Sequence, residues 1–218
     1  EGQTARGGVV NLVTKRATEK SEGEFFLQGS GFTSLSNWQG KASGDVSGRL
    51  THDGAWTGRI VGLARYGDTQ VNEVRTGRYY ISPSLTWKIT PKTVWTLLAQ
   101  YQRDQGGSTF QFLPATGTLY ASKGRHIAND ANIGEPNWDT FDRNQALAGS
   151  FLEHKFNRFL TVRNNTRYTY LNTLYRATVL SGDTLAKSAA TVAGCIACET
   201  VNRLAVEGPG QSQGVTTD

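Results

Sequence analysis

Between Trp38 and Leu50 apolar or small residues alternate with polar ones without a break. Trp38, Gly40, Ala42, Gly44, Val46, Gly48 and Leu50 fall on one side, and Gln39, Lys41, Ser43, Asp45, Ser47 and Arg49 on the other. A period of two sends successive side chains to opposite faces, so this stretch predicts a strand with one wet face. Tyr79–Gln102 repeats the pattern twice. Tyr79, Ile81, Leu85, Trp87 and Ile89 share a face with Pro83, opposite Ser82, Ser84, Thr86 and Lys88. A turn at Thr90-Pro91-Lys92 follows, where proline presets φ. On the second arm Trp95, Leu97, Ala99 and Tyr101 are together, opposite Thr96, Gln100 and Gln102, with Leu98 as an exception. Pro83 has no N–H to give a ladder, so it requires a bulge or an unpaired position.

Other strands are predicted over residues 7–15, 23–32, 56–68, 144–156 and 159–175. In 56–68 Trp56, Ile60, Ala64 and Tyr66 oppose Thr57, Arg59 and Arg65, although Val61 and Leu63 blur the pattern. Residues 144–156 show no clear facing, whereas Leu160, Val162, Tyr168, Tyr170 and Leu174 group together. Arg16 to Glu22 reads as a charged connector, and Asp53-Gly54 is a tight-turn signal. The connections alternate in length. Thr51–Ala55, Thr90–Lys92 and Asn157–Arg158 are short, while 105–141 and 176–218 read as long loops. Loops beyond about 12–15 residues are uncommon in compact domains and usually functional.

Such faces suit two architectures. A soluble sandwich buries them against a second sheet. A membrane barrel turns them to lipid, between two aromatic girdles. The apolar face of 38–50 is small and smooth, which lipid tolerates better than a packed core does. Short turns at one rim and long loops at the other follow the outer-membrane plan. Most strands also exceed the roughly 9–11 residues that cross a bilayer when tilted. The expected fold is therefore all-β, part of an antiparallel transmembrane β-barrel.

Composition agrees. The 218 residues include 25 glycines, 5 prolines and no methionine, as in a turn-rich β protein. A mean hydropathy of −0.44 and the lack of an apolar run near the roughly 18 residues of a membrane helix exclude a helical span only. The net charge of +5 is mild and compatible with anionic ligands or lipopolysaccharide. No basic run with interleaved aromatics points to nucleic acid. The chain opens at EGQTARGG with neither initiator Met nor signal peptide, so a piece of something longer is expected. Cys195 and Cys198 form a lone C-x-x-C, open to a redox motif, half a metal site or a local disulfide. The disulfide, in an exposed loop and an oxidising compartment, is the favoured reading.

Enzyme chemistry finds no support in the pattern. His52, His126 and His154 stand apart, with no H-E-x-x-H and no nucleophile elbow. Glu135 and Asp139 read as loop-capping acids rather than a catalytic pair, which needs a cleft and opposed environments. Asn164-Asn165-Thr166 is a sequon by pattern, but in a strand it is a chance match.

GGVVNLVTKR at the start resembles the last strand of the plug domain in TonB-dependent siderophore receptors. RYYISPSLTWKITPKT, GEPNWDTFDR and FNRFLTVRNNTRY resemble the early barrel of that family, in its ferric-hydroxamate, ferrichrome-type branch. The similarity covers roughly residues 1–176. It implies a barrel of about 22 strands around a plug. Residues 1–20 would end the plug, and 21–218 would begin the barrel with about seven strands. It also implies uptake of a ferric siderophore as cargo, with no cofactor, and a TonB energy-coupling complex as partner through a segment outside this chain. Lipid and lipopolysaccharide would surround the barrel. By position, GSTFQFLP matches the external-loop aromatics that line the hydroxamate pocket, which puts Phe110 and Phe112 on it, with Tyr120 and Trp138 as further candidates. The chain carries phenylalanine where the family usually has Tyr or Trp. The competing reading is that these rings pack the loop onto itself. A cysteine pair in the last loop is similar to one in members of the branch.

A soluble sandwich or adhesin and a passive porin remain as alternatives. Detergent dependence separates the first from a receptor, and the plug-like start separates the second.

Overall fold

The computed structural model describes residues 14–31, 37–180, 186–187, 199–200 and 203–217. Alternation and turn chemistry produce seven strands in a meander: β1 (Glu22–Gly31), β2 (Trp38–Arg49), β3 (Trp56–Asp68), β4 (Arg75–Thr90), β5 (Thr93–Gly106), β6 (Thr140–Lys155) and β7 (Thr161–Leu180). A two-residue ladder, β8 (Ala186–Lys187) with β9 (Glu199–Thr200), stands apart. The last strand, β10 (Arg203–Thr217), returns to pair with β7. The result is one eight-stranded antiparallel sheet in the order β1-β2-β3-β4-β5-β6-β7-β10. Among the described residues no helix is long and apolar enough to cross a membrane, which says nothing of strands.

β10 corrects the expectation that 176–218 is an external loop and that about seven strands are present. β7 runs to Leu180, and residues 203–217 form a fifteen-residue strand. Gly208, Pro209, Gly210 and Gly214 dilute both its strand propensity and its alternation. Its order comes from fifteen rungs to β7, from Arg203↔Leu180 to Thr217↔Thr166. The strand expected over 7–15 lies almost wholly outside the described residues; Thr14 and Lys15 are irregular.

Register shows what each face meets. Trp56, Trp87 and Trp95 are direct cross-strand partners near the short-turn rim. Trp56 stacks on Trp87 at 4.8 Å, and Trp87 meets Trp95 at 6.5 Å. Near the other rim Trp38, Tyr66, Tyr79 and Tyr101 stand on the same face, 43–58% exposed. Eight residues separate Tyr79 from Trp87 on β4. At about 3.3 Å each, tilted by roughly 40°, they span some 20 Å, the scale of a barrel's lipid band. Ile60 and Ile81 between the girdles are 49% and 44% exposed, and no second layer covers this face among the described residues. A sandwich would have buried it.

The opposite face is polar and carries the chain that precedes β1. Lys15 pairs with Asp45 at 2.9 Å, and Asp45 also takes Arg59 at 2.5 Å. The Thr18 N–H donates to Ser47 Oγ at 2.9 Å, and Gln100 Nε2 donates to Thr14 Oγ1 at 3.0 Å. Glu19 joins Arg49 at 2.9 Å and also holds Lys88. Leu98, the exception to alternation, is buried here opposite Gly149, over which the Phe151 ring lies. The Arg16 guanidinium lies 4.6 Å above the Phe151 ring. Gly149 makes room for that ring, since a Cβ there would come within 2.8 Å of it. This small apolar patch seats the incoming chain.

Turns form as their residues dictate. Gly54 takes φ 70°, and Asp53 Oδ1 accepts the Ala55 N–H at 3.0 Å. Asn157 Oδ1 accepts the N–H groups of Phe159 and Leu160, a side chain mimicking a backbone turn. Pro83 meets its requirement locally. It partners Ile60 of β3, while the β4–β5 ladder has no rung between Ile81↔Tyr101 and Ser84↔Leu98.

Ile60 sits opposite Pro83, midway between the girdles. Ile60→Arg is expected to destabilise the folded barrel by about 2–4 kcal/mol, the cost of a cation at the bilayer midplane. Denaturant titration in liposomes reads this, and Val61→Arg, facing the lumen, should cost well under that. The exposed Glu19 carboxyl is held below its ordinary pKa, first by Lys88 and then by Arg49. A depressed carboxylate stabilises above its unfolded pKa, and that contribution is lost as pH falls through the folded value. Melting curves across pH should therefore show an acid-limb loss below about pH 4, reduced in Glu19→Gln.

Candidate aromatic loop site

The loop of residues 107–139 leaves the sheet through a glycine that permits a close approach. A Cβ at Gly106 would lie 2.5 Å from the Arg75 carbonyl oxygen. Below this exit Asp104 is a buried anchor between strands. It takes Arg78 at 2.5 Å on one oxygen, and Arg143 at 2.5 Å and Gln102 at 2.8 Å on the other. Ser108 is buried with its hydroxyl 3.2 Å from that of Tyr175, and it accepts the Phe110 N–H at 3.2 Å.

Phe110, Gln111 and Phe112 then divide by parity. Gln111 turns into the loop, donating to the Ala131 carbonyl at 3.3 Å and accepting from the Ile133 N–H at 2.8 Å. The phenylalanines on either side face away. Their rings meet edge to face at 4.6 Å, and they are 54% and 61% exposed. They pack on each other, and each leaves more than half of its surface exposed.

The other two candidates sit apart from the pair. Tyr120 is 70% exposed on a subloop closed by bonds to the Ala115 carbonyl. That subloop continues into a two-residue turn, Lys123-Gly124, with φ of 48° and 75°. Trp138 lies 4.7 Å under the Arg176 guanidinium. Among the described residues no ring contact joins either of them to Phe110 or Phe112.

The loop's far end is clamped by one carboxylate. Asp139 Oδ1 accepts both the N–H and the hydroxyl of Thr178, at 2.7 and 2.8 Å, and Oδ2 accepts the Glu135 N–H at 3.1 Å. Glu135 pairs with Arg203 of β10, which also donates to the Ile133 and Gly134 carbonyls. Both acids therefore organise the loop, as the sequence indicated. Val71 and Val74 in the neighbouring 69–74 turn are buried, and the Asn72 N–H donates to the Asp130 carbonyl at 2.9 Å. The roles of Gln111, Ser108 and Tyr175 were missed. A glutamine between two phenylalanines is the signal that could have found the first. Nothing in the sequence indicates the contact between Ser108 and Tyr175, which lie 67 residues apart.

No family model matches the chain. Individual proteins do. The ferrioxamine B receptor of Salmonella typhimurium SL1344 is 34% identical over 180 residues, covering 81% of this chain and 25% of that receptor. The ferrichrome outer membrane transporter and phage receptor of Escherichia coli K12 is 33% identical over 168 residues, 77% of this chain and 22% of the transporter. The chain belongs to the outer-membrane siderophore receptors. It spans about a quarter of the length of the relatives it matches. Among solved structures, the closed form of the ferric-catecholate import receptor Fiu of E. coli K12 aligns with a TM-score of 0.79 at 18% identity. That alignment covers 97% of this chain and 30% of Fiu. The ferripyoverdine receptor of Pseudomonas aeruginosa aligns with a TM-score of 0.65 at 18% identity, over 93% of this chain and 25% of its own. At these identities the likeness is one of fold, and it agrees with the strand-by-strand reading.

Within this receptor segment Cys195 and Cys198 lie outside the described residues. His154 accompanies Thr93 Oγ1 at 2.8 Å and packs against Phe156. His126 Nδ1 lies 3.1 Å from the Thr118 carbonyl oxygen. Among the described residues no cluster of His, Cys, Asp or Glu could hold a metal ion.

Asp139→Ala would strand the buried Thr178 N–H and hydroxyl, a loss of about 1–3 kcal/mol felt at the loop base. Limited proteolysis of the full-length receptor should cut faster within 107–139. An unchanged rate would mean that another contact holds the loop.

Proposed function

We propose that this chain is the early-barrel part of a receptor that imports a ferric hydroxamate-type siderophore across the outer membrane with TonB-supplied energy. Residues 1–20 end the plug, and 21–218 begin the barrel. The observation that carries the reading is the exposed Phe110–Phe112 pair, held by Gln111 on a pinned loop. It is supported by relatives named for ferrioxamine and ferrichrome. A wrapped ferric hydroxamate presents an apolar organic shell, and iron is already fully ligated within it. Aromatic faces bind such a shell by burial and need no protein atom on the metal. The ferric chelate is cargo, and the reading assigns no resident cofactor and no catalysis.

In this mechanism the chelate docks on Phe110 and Phe112, with Tyr120 and Trp138 flanking the entrance. The plug then signals to the periplasmic TonB complex through a segment upstream of this chain. Lipid and lipopolysaccharide meet the girdled face, and no nucleic acid takes part. The reading includes a disulfide between Cys195 and Cys198.

Phe110→Ala combined with Phe112→Ala in the full-length receptor should weaken binding of ferric hydroxamates by about tenfold or more, the loss of some 1.4 kcal/mol of contact. Titration with ferrichrome and ferrioxamine B measures it. Unaltered dissociation constants would remove the pair from the site.

A further inference from the structure

Resting on the siderophore reading above, we infer that the lumen-facing basic row Lys41–Arg65–Arg78–Arg143 at the foot of the aromatic loop receives an anionic group of the incoming ferric chelate. The row is a product of register. Lys41 is the direct partner of Arg65, Arg65 of Arg78, Arg78 of Asp104, and Asp104 of Arg143. Five consecutive strands thus place four cations and one carboxylate on a single level. All five share the face that carries Asp45, Arg59, Lys88, Gln100 and Phe151, where the segment before β1 lies. They therefore face the lumen rather than lipid.

Among the described residues the charges of this level do not balance. Asp104 serves both Arg78 and Arg143. Its single charge leaves the level with three positive charges in excess. Lys41, Arg65 and Arg78 stand directly opposite one another, where side chains begin about 5 Å apart and like charges destabilise the sheet. Lys41 rests over the Phe26 ring at 5.4 Å. Arg65 Nε is shut away from solvent and has no hydrogen-bond partner among the described residues, a costly state for a donor. The other lumenal carboxylates near β2 are engaged or distant. Asp45 is four residues nearer the short-turn rim and is held by Arg59 and Lys15. Above the row, Asp139 and Glu135 are committed to the loop clamp and to Arg203. Among the described residues this level carries more positive than negative charge, and an anion complements it.

Its position identifies the partner. Asp104 and Arg143 flank the two ends of the loop that bears Phe110 and Phe112. The described segment 14–21 makes its contacts lower, at Asp45, Ser47, Arg49, Arg59, Lys88 and Gln100, each at least four residues nearer the short-turn rim. A carboxylate on a chelate seated at the aromatic pair would descend onto the row. Guanidinium groups suit it, since they bind carboxylates with paired, charge-assisted hydrogen bonds.

Three ferric chelates with one hydroxamate core test this in the full-length receptor: ferrioxamine B with its free ammonium, its N-acetyl form and its N-succinyl form, which adds a carboxylate. The succinyl form should bind about tenfold or more tightly than the ammonium form, with the preference shrinking as salt rises. Lys41→Gln with Arg65→Gln should collapse that ratio toward one, and Lys41→Gln alone should lower it if the double variant folds poorly. Equal affinity across the three would overturn the inference alone. So would a double variant that loses thermal stability while keeping the preference, because the row would then serve carboxylates of the plug. Failure of all three to bind would strike the hydroxamate reading itself.

Discussion

The structure depends on one constraint: in hydrocarbon every backbone N–H and C=O must be paired within the protein. A sheet meets it rung by rung, and this chain does so through long antiparallel ladders from β1 to β10. The consequence reaches every side chain. Once the ladder is fixed, alternate residues meet either lipid or lumen, with nothing between. Conventional core is accordingly scarce, with Val71, Val74, Leu98, Phe151 and Ala177 the buried apolar residues described. Two of these, Leu98 and Phe151, form the patch that seats the entering chain, and Val71 and Val74 lie under the external loops.

Polar interactions do the work that apolar packing does in a soluble domain. Buried Asp104 and Asp139 each hold several donors from separate strands or loops. Their placement is economical, because a carboxylate accepts several hydrogen bonds at once. One fixes the root of the aromatic loop and the other its end. Between them the loop presents Phe110 and Phe112 with much of their surface open, a posture that a free loop of this length would not keep. If the loop receives the chelate as proposed, fixation beforehand lowers the ordering cost of binding.

The strands with clean alternation were legible in the sequence almost to the residue. Trp38–Leu50 became β2, and the Tyr79–Gln102 hairpin became the middle of β4 and β5. The oddities there were legible too: Pro83 falls at a gap in one ladder, and Leu98 has a lumenal neighbour in need of cover. β10 was not legible, since glycines and a proline dilute its pattern and its neighbour β7 supplies the order. Nor was the facing of β6, where Phe151 and Leu147 turn to the lumen and Leu152 to lipid. Of the candidate site, the phenylalanine pair was visible as residues. The clamp that exposes it was visible only as a pair of loop-capping acids.

The sequence by itself determined which residues of each strand share a face and where the chain reverses. Those follow from local geometry, the two-residue period and the φ preferences of glycine, proline and asparagine. Only the tertiary structure decided which residue of one strand stands beside which of the next. Register is a property of pairs, fixed by turns and ladders across the whole sheet. It brought three tryptophans into one girdle. It also set Lys41, Arg65 and Arg78 side by side, a crowding of charge that no single strand reveals.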